Sequence, residues 1–165
     1  MDRVNWGRIK LLLLDCDGVL TDGGVYYTGE GDELRRFSIK DGTGIRRLLD
    51  SGIGVGIISA SSATPVLCRA RQLGIDEVHI GVDDKVSVAL RIVKSKGINL
   101  SEVAYIGDDL ADILILQIVG VPLAVGDATD RVREMAKYVT SLPGGHGAVR
   151  EVSDLIMNAI SQEED

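Results

Sequence analysis

Two aspartates one residue apart, Asp15 and Asp17, interrupt the apolar run of LLLLDCDGVLTDG at residues 11–23. Gly18 follows at once, and Asp22 comes shortly after. Acids at the end of a buried strand lie at the carboxyl edge of a sheet, where open α/β proteins build their sites. Two acids this close suit a cation, a nucleophile with a proton donor, or both. Three further positions extend the pattern: Ser59 in GIISASS, Lys85 in GVDDKV, and Asp108, Asp109 and Asp112 in IGDDLAD. Each follows an apolar run, so a parallel sheet would bring all of them to one edge. A carboxylate can attack a phosphoryl group, and a second one can protonate the leaving alcohol. Other carboxylates can hold Mg2+ through oxygen, while a hydroxyl and an ammonium grip the remaining phosphate oxygens. Asp112 fits this set and fits equally an acid at a helix start.

The elements that must position these residues alternate. Apolar runs at 9–15, 53–59, 77–81, 103–109, 121–127 and 137–140 read as strands. Helical patterns cover 41–52, 62–74, 84–97, 110–120, 127–136 and 148–161. Ile45, Leu48 and Leu49 share one face of the first helix, and Val88, Leu90, Ile92 and Val93 are apolar positions of the third. The 110–120 helix is apolar nearly all round and is expected to be buried. Residues 25–39 read as a hairpin around TGEGDE, and the tail SQEED as frayed. Strand–helix alternation predicts an α/β, three-layer, doubly wound and mainly parallel sheet.

Composition bounds the function. The 165 residues are 45% hydrophobic and only 4% aromatic, so aliphatic side chains build the interior, as a covered parallel sheet requires. A net charge of -7 argues against nucleic acid as a partner. No apolar run reaches membrane-spanning length, and the N-terminus MDRVNWGR does not read as a leader. Cys16 and Cys68 have no metal-site spacing, and Cys16 reads as a structural thiol. A cytoplasmic location is the default expectation.

The four motifs, in this order, resemble the haloacid dehalogenase superfamily of phosphatases: Asp15-Cys16-Asp17-Gly18-Val19-Leu20-Thr21, then Ser59, Lys85, and Gly107-Asp108-Asp109 with Asp112. The resemblance implies Asp15 as nucleophile, Asp17 as general acid/base, and Ser59 and Lys85 on the phosphoryl group. It implies Mg2+ held by Asp15, the backbone carbonyl of Asp17, and Asp108, with Asp109 supporting it through water. It further implies a Rossmann-like sheet in which 1–165 form one phosphatase domain, with a hairpin insertion at about 24–39 and no cap domain.

Within the superfamily, DGVLTDGGVYY, FSIKDGTGIRRL, VAYIGDDLAD and GGHGAVREV resemble the small capless phosphatases acting on 3-deoxy-manno-octulosonate 8-phosphate. That likeness implies a homotetramer packed through its hairpins, with the C-terminal segment at about 141–165 reaching a neighbour's site. It also implies substrate contacts from Ser38, Ile39, Lys40, Asp41, Gly42, Arg46, Arg69 and Lys85. Arg46 and Arg69 can grip a sugar-acid carboxylate or a phosphate. In two places the chain departs from the family: Ser61 and His146 stand where arginines are usual. Each lost charged hydrogen bond is worth about 1.5–3 kcal/mol, so the reaction looks retained while the substrate can be a related keto-sugar acid phosphate or another sugar phosphate. Two competing readings are a non-catalytic tetramerisation module of a sugar-nucleotide pathway and a phospho-accepting receiver domain. The latter carries its phosphorylated Asp on a middle strand, unlike the first-strand Asp15.

Overall fold

The computed structural model describes residues 4–163. Met1 to Arg3 of the N-terminal stretch and the last two residues of the SQEED tail lie outside the described residues. Six parallel strands form the sheet: β1 (Leu11–Leu14), β4 (Gly54–Ile58), β5 (Glu77–His79), β6 (Val103–Gly107), β7 (Val121–Ala124) and β8 (Tyr138–Val139). Their spatial order is β5-β4-β1-β6-β7-β8. The chain leaves β1 in one direction for β4 and β5, then returns to the other side of β1 for β6, β7 and β8. That reversal opens a crevice at the carboxyl edge of β1. All four residues of β1 are buried, because it is covered on both faces.

The helices are α1 (Ile39–Asp50), α2 (Pro65–Leu73), α3 (Lys85–Lys96), α4 (Ile113–Ile118), α5 (Asp130–Met135) and α6 (Ala148–Glu163). α1 packs on α2 and α6, and α4 packs on α3 and α5, which gives the two outer layers. Local chemistry sets several boundaries. Ser38 Oγ accepts from the Asp41 backbone N–H and starts α1 two residues earlier than the pattern suggests. Asp84 Oδ1 accepts from the Ser87 N–H and makes Lys85 the first residue of α3. α2 begins at Pro65 without a side-chain cap from Thr64.

Between β1 and α1 lies a small antiparallel hairpin, β2 (Tyr26–Tyr27) and β3 (Glu33–Leu34), extended by a bridge between Thr21 and Phe37. Among the described residues, no helix is long and apolar enough to cross a membrane.

One packing expectation needs correction. The 110–120 segment is a 3-10 turn (Leu110–Asp112) followed by α4, and it is not buried all round. Ile113, Ile115 and Leu116 are buried, but Leu110 is 61% and Leu114 65% exposed, since a helix on one side of a sheet covers only its inner stripe. In α3, Val88, Ala89, Ile92 and Val93 form that stripe, whereas Leu90 points away and is exposed.

Candidate active site

Asp15 directly follows β1, and its backbone N–H donates to Ile106 O on β6 (3.1 Å). Lys85 turns inward from the start of α3 and is buried. Its Nζ donates to Asp15 Oδ1 (2.9 Å), Asp112 Oδ1 (2.7 Å) and Tyr105 Oη (3.1 Å), which uses all three ammonium hydrogens. Burial alone would lower the Lys85 pKa, but the Asp15 and Asp112 carboxylates hold it above the ordinary lysine range. Tyr105 Oη donates to Asp112 Oδ1 (2.6 Å). Asp112 Oδ2 in turn accepts the backbone N–H groups of Asp108 (2.9 Å) and Asp109 (3.3 Å). Asp112 therefore braces the loop after β6 and orients Lys85. It also closes a capping box with Asp109, which is the helix-start role the sequence offered for it.

Carboxylate oxygens of Asp15, Asp108 and Asp112 lie within 4.8 Å of one another. Burial, then the charges of Asp15 and Asp112, push the Asp108 carboxyl up to about 8. Burial, then Asp112, push Asp15 up to about 6, with Lys85 opposing the shift. One ammonium does not balance three close carboxylates. Asp112 already accepts hydrogen bonds at both oxygens, which leaves Asp15 and Asp108 as the free oxygen donors. Gly18, at φ +84°, makes room for them: a Cβ there would come within 2.0 Å of Asp108 Oδ2. An all-oxygen, anionic set of this kind fits a hard divalent cation such as Mg2+.

Ser59 directly follows β4, the neighbour of β1, and is buried, with its backbone tied to His79 and Val82. Asp17 sits on the loop after β1, and Arg35 Nε donates to its Oδ1 (2.9 Å). Asp109 is exposed, and its Oδ1 accepts from the Leu110 N–H (2.7 Å), so its side chain caps the 3-10 turn. It stands outside the cluster formed by Asp15, Asp108 and Asp112.

The residues assigned to substrate by resemblance separate into two groups. Ser38 and Asp41 are engaged within the fold. Ser38 caps α1, and its carbonyl accepts from Arg69 Nη2 (2.9 Å). Asp41 is buried, and its carboxylate accepts from the backbone of Gly147 (3.3 Å) and Arg150 (2.8 Å), capping α6 from a distance. Gly42 is buried and lets Arg69 pass, since a Cβ would meet Arg69 Nη2 at 2.4 Å. Ile39, Lys40 and His146 are exposed. Arg46 donates to Gln72 O (3.2 Å) and lines, with Arg69, a groove between α1 and α2 rather than the acid cluster. Ser61 Oγ accepts from the Ala63 N–H and lines a cleft of about 420 Å³ between the hairpin turn and the loop after β4.

Sequence reasoning missed Tyr105, Arg35 and Arg36. Tyr105 carries a signal: it is the one aromatic in an otherwise aliphatic buried strand, and a buried phenol needs a partner. The GGHG loop is also more than a likeness. Gly145 N–H donates to Val19 O (2.9 Å), and Arg36 Nη1 donates to Gly145 O (2.9 Å). A Cβ at Gly144 would lie 1.7 Å from Gly18 O, so the loop rests directly on the DCDG turn.

The sequence pattern of the haloacid dehalogenase-like hydrolases matches residues 68–151. The chain is 43% identical over 152 residues, 92% of its length and 81% of the relative's, to the 3-deoxy-D-manno-octulosonate 8-phosphate phosphatase KdsC of Yersinia pestis. The crystal structure of the Yersinia pestis phosphatase superposes with a TM-score of 0.93 at 41% identity, covering 97% of this chain and 86% of that one. The Moraxella catarrhalis phosphatase, solved with magnesium ion, phosphate ion and KDO, gives a TM-score of 0.93 at 39% identity, covering 97% and 92%.

Proposed function

The chain belongs to the haloacid dehalogenase-like hydrolases, and from that premise we propose that it is a Mg2+-dependent phosphomonoesterase acting on a sugar phosphate. The substrate we infer is 3-deoxy-D-manno-octulosonate 8-phosphate or a related keto-sugar acid phosphate. One observation carries the reading: Lys85 holds the Asp15 carboxylate beside Asp108 at the carboxyl edge of β1.

In this reading a carboxylate oxygen of Asp15 attacks phosphorus, and the bond from phosphorus to the sugar oxygen breaks. Asp17 gives that oxygen a proton. Water then attacks the aspartyl phosphate, returning its proton to Asp17 and freeing phosphate and the Asp15 carboxylate. The Ser59 hydroxyl and Lys85, which exchanges one of its hydrogen bonds for one to substrate, bind the phosphoryl oxygens. Asp15, Asp108 and the backbone carbonyl of Asp17 would hold Mg2+, with Asp109 supporting it through water. Bound there, the ion offsets repulsion between an anionic nucleophile and an anionic substrate.

Residues 1–165 act in this reading as one phosphatase domain in the cytoplasm, where the free thiols of Cys16 and Cys68 persist. Copies assemble as a homotetramer through the hairpins, whose exposed Val25, Tyr26, Tyr27 and Leu34 support such packing. Arg46, Arg69 and His146 contact substrate in this reading, and the C-terminal segment at about 141–165 reaches a neighbour's site. The filled acid cluster weighs against a purely structural module.

The test is release of inorganic phosphate from 3-deoxy-D-manno-octulosonate 8-phosphate in the presence of Mg2+. Turnover by the unmodified chain and none by Asp15→Asn is the expected result; turnover surviving in Asp15→Asn sinks the nucleophile assignment.

A further inference from the structure

Asp17 stands apart from the other acids of the site. Asp15, Asp108 and Asp112 gather around Lys85, whereas Asp17 pairs with a cation brought from outside the sheet. That cation is Arg35, on the hairpin. Its neighbour Leu34 and the facing Tyr27 are exposed, yet the Arg35 side chain is only 6% exposed. Its guanidinium is held at three points: Nε on Asp17 Oδ1 (2.9 Å), Nη2 on Glu33 Oε2 (3.2 Å) and Nη1 on Leu34 O (3.4 Å). Glu33 is fixed from its other side by Tyr27 Oη (3.0 Å to Oε1). A chain of contacts therefore runs Tyr27–Glu33–Arg35–Asp17, from the hairpin strands to the loop that carries the first motif. Asp17 is half-buried on a turn, and without Arg35 its carboxylate would sample several rotamers.

We propose that Arg35 is the positioning residue for Asp17, aiming its carboxylate at the leaving oxygen and then at the attacking water. The proposal rests on Asp17 being the proton-transfer group of the phosphatase reading. It gives the hairpin a part in the chemistry: a planar, doubly anchored guanidinium fixes a carboxylate more tightly than a flexible ammonium can. A proton-transfer group displaced by about 1 Å costs on the order of 100-fold in rate.

The experiment is a double-mutant cycle over the unmodified chain, Arg35→Ala, Asp17→Asn and the double variant. Each is assayed with Mg2+ on 3-deoxy-D-manno-octulosonate 8-phosphate and on p-nitrophenyl phosphate, and each is melted thermally. Arg35→Ala is expected to lower kcat about 10- to 100-fold with KM nearly unchanged. In the Asp17→Asn background the same substitution is expected to change kcat less than about twofold, because the group it positions is gone. Arg35→Lys, which keeps a cation within reach of Asp17, is expected to recover part of the loss and stands in if Arg35→Ala does not fold. Equal losses in both backgrounds, or a raised KM at unchanged kcat, overturn the proposal, the latter by placing Arg35 on the substrate itself. Turnover of neither phosphate by the unmodified chain overturns the phosphatase reading and the role of Asp17 with it. Coupling seen in melting but absent from kcat overturns the Arg35 proposal alone.

Discussion

Lys85 and Asp112 form an ion pair of 2.7 Å whose side chains are 4% and 1% exposed, and the pair organises the loop after β6. Removing Asp112 leaves Lys85 paired with Asp15 but strands the buried Tyr105 hydroxyl and the Asp108 N–H without their acceptor, at a cost of about 1–3 kcal/mol each. Asp112→Ala is therefore expected to lower the melting temperature by roughly 10 °C, since about 1 kcal/mol moves a domain of this size by some 2–4 °C. Calorimetry checks it, and a shift within about 2 °C would contradict the bracing role.

Metal and proton compete for the same acids. Burial and neighbouring charge raise Asp108 to about 8 and Asp15 to about 6 in the metal-free fold. An acid whose pKa is higher folded than unfolded holds its proton more tightly in the fold. Its contribution is present in full below the unfolded value and is lost as pH rises through the folded one. The loss therefore falls between about pH 4 and pH 8, and a bound cation removes it. Mg2+ is expected to raise the melting temperature by several degrees near pH 8 and by much less near pH 5.5. Equal gains at both values would refute this account. Asp15→Asn is expected to narrow the difference and to melt no lower than the unmodified chain without Mg2+.

Gly18 lies against Asp108, one of the proposed cation ligands. A methyl group there would meet Asp108 Oδ2 at 2.0 Å, on a backbone at φ +84°. Gly18→Ala is expected to abolish the Mg2+-dependent gain in melting temperature and to cost about 1–3 kcal/mol. Isothermal titration with Mg2+ reads the first effect directly; binding at unchanged affinity would show that Asp108 is not held where the ion sits.

Ser61 lines a cleft with Asp32 and Glu33, where the likeness to the octulosonate phosphatases leads one to expect a guanidinium. Ser61→Arg is expected to raise kcat/KM for an eight-carbon sugar-acid phosphate about tenfold relative to a sugar phosphate without a carboxylate. Steady-state rates on the two substrates give the ratio. No change in it would show that the carboxylate is read elsewhere.

The strand that ends in Asp15 was legible because an apolar run and an abrupt pair of acids are both local signals. The order of motifs placed Ser59, Lys85 and Asp108 at one edge for the same reason. What escaped were contacts between distant positions. Arg35 meets Asp17 across 18 residues, Lys85 meets Asp112 across 27, and Asp41 meets Arg150 across 109. Nothing in the types of Ser38 or Asp41 separates a substrate contact from a helix cap, since both roles call for a small oxygen acceptor. Leu110 and Leu114 show the converse: an apolar helix whose outer side faces away from this sheet reads as buried in sequence.

The seat of the GGHG loop on the DCDG turn bears on the order in which the chain matures. Arg36 and Gly145, 109 positions apart, meet beside that turn. Asp15 and Asp17 leave the ribosome well before the loop that seats on Gly18 and Val19 behind them. At roughly 5–20 residues per second the acids wait several seconds or more for it. A chain cut short before Gly144 carries every proposed catalytic side chain and still lacks the loop that seats on the turn after Asp17, so the site is complete only once that loop has been made.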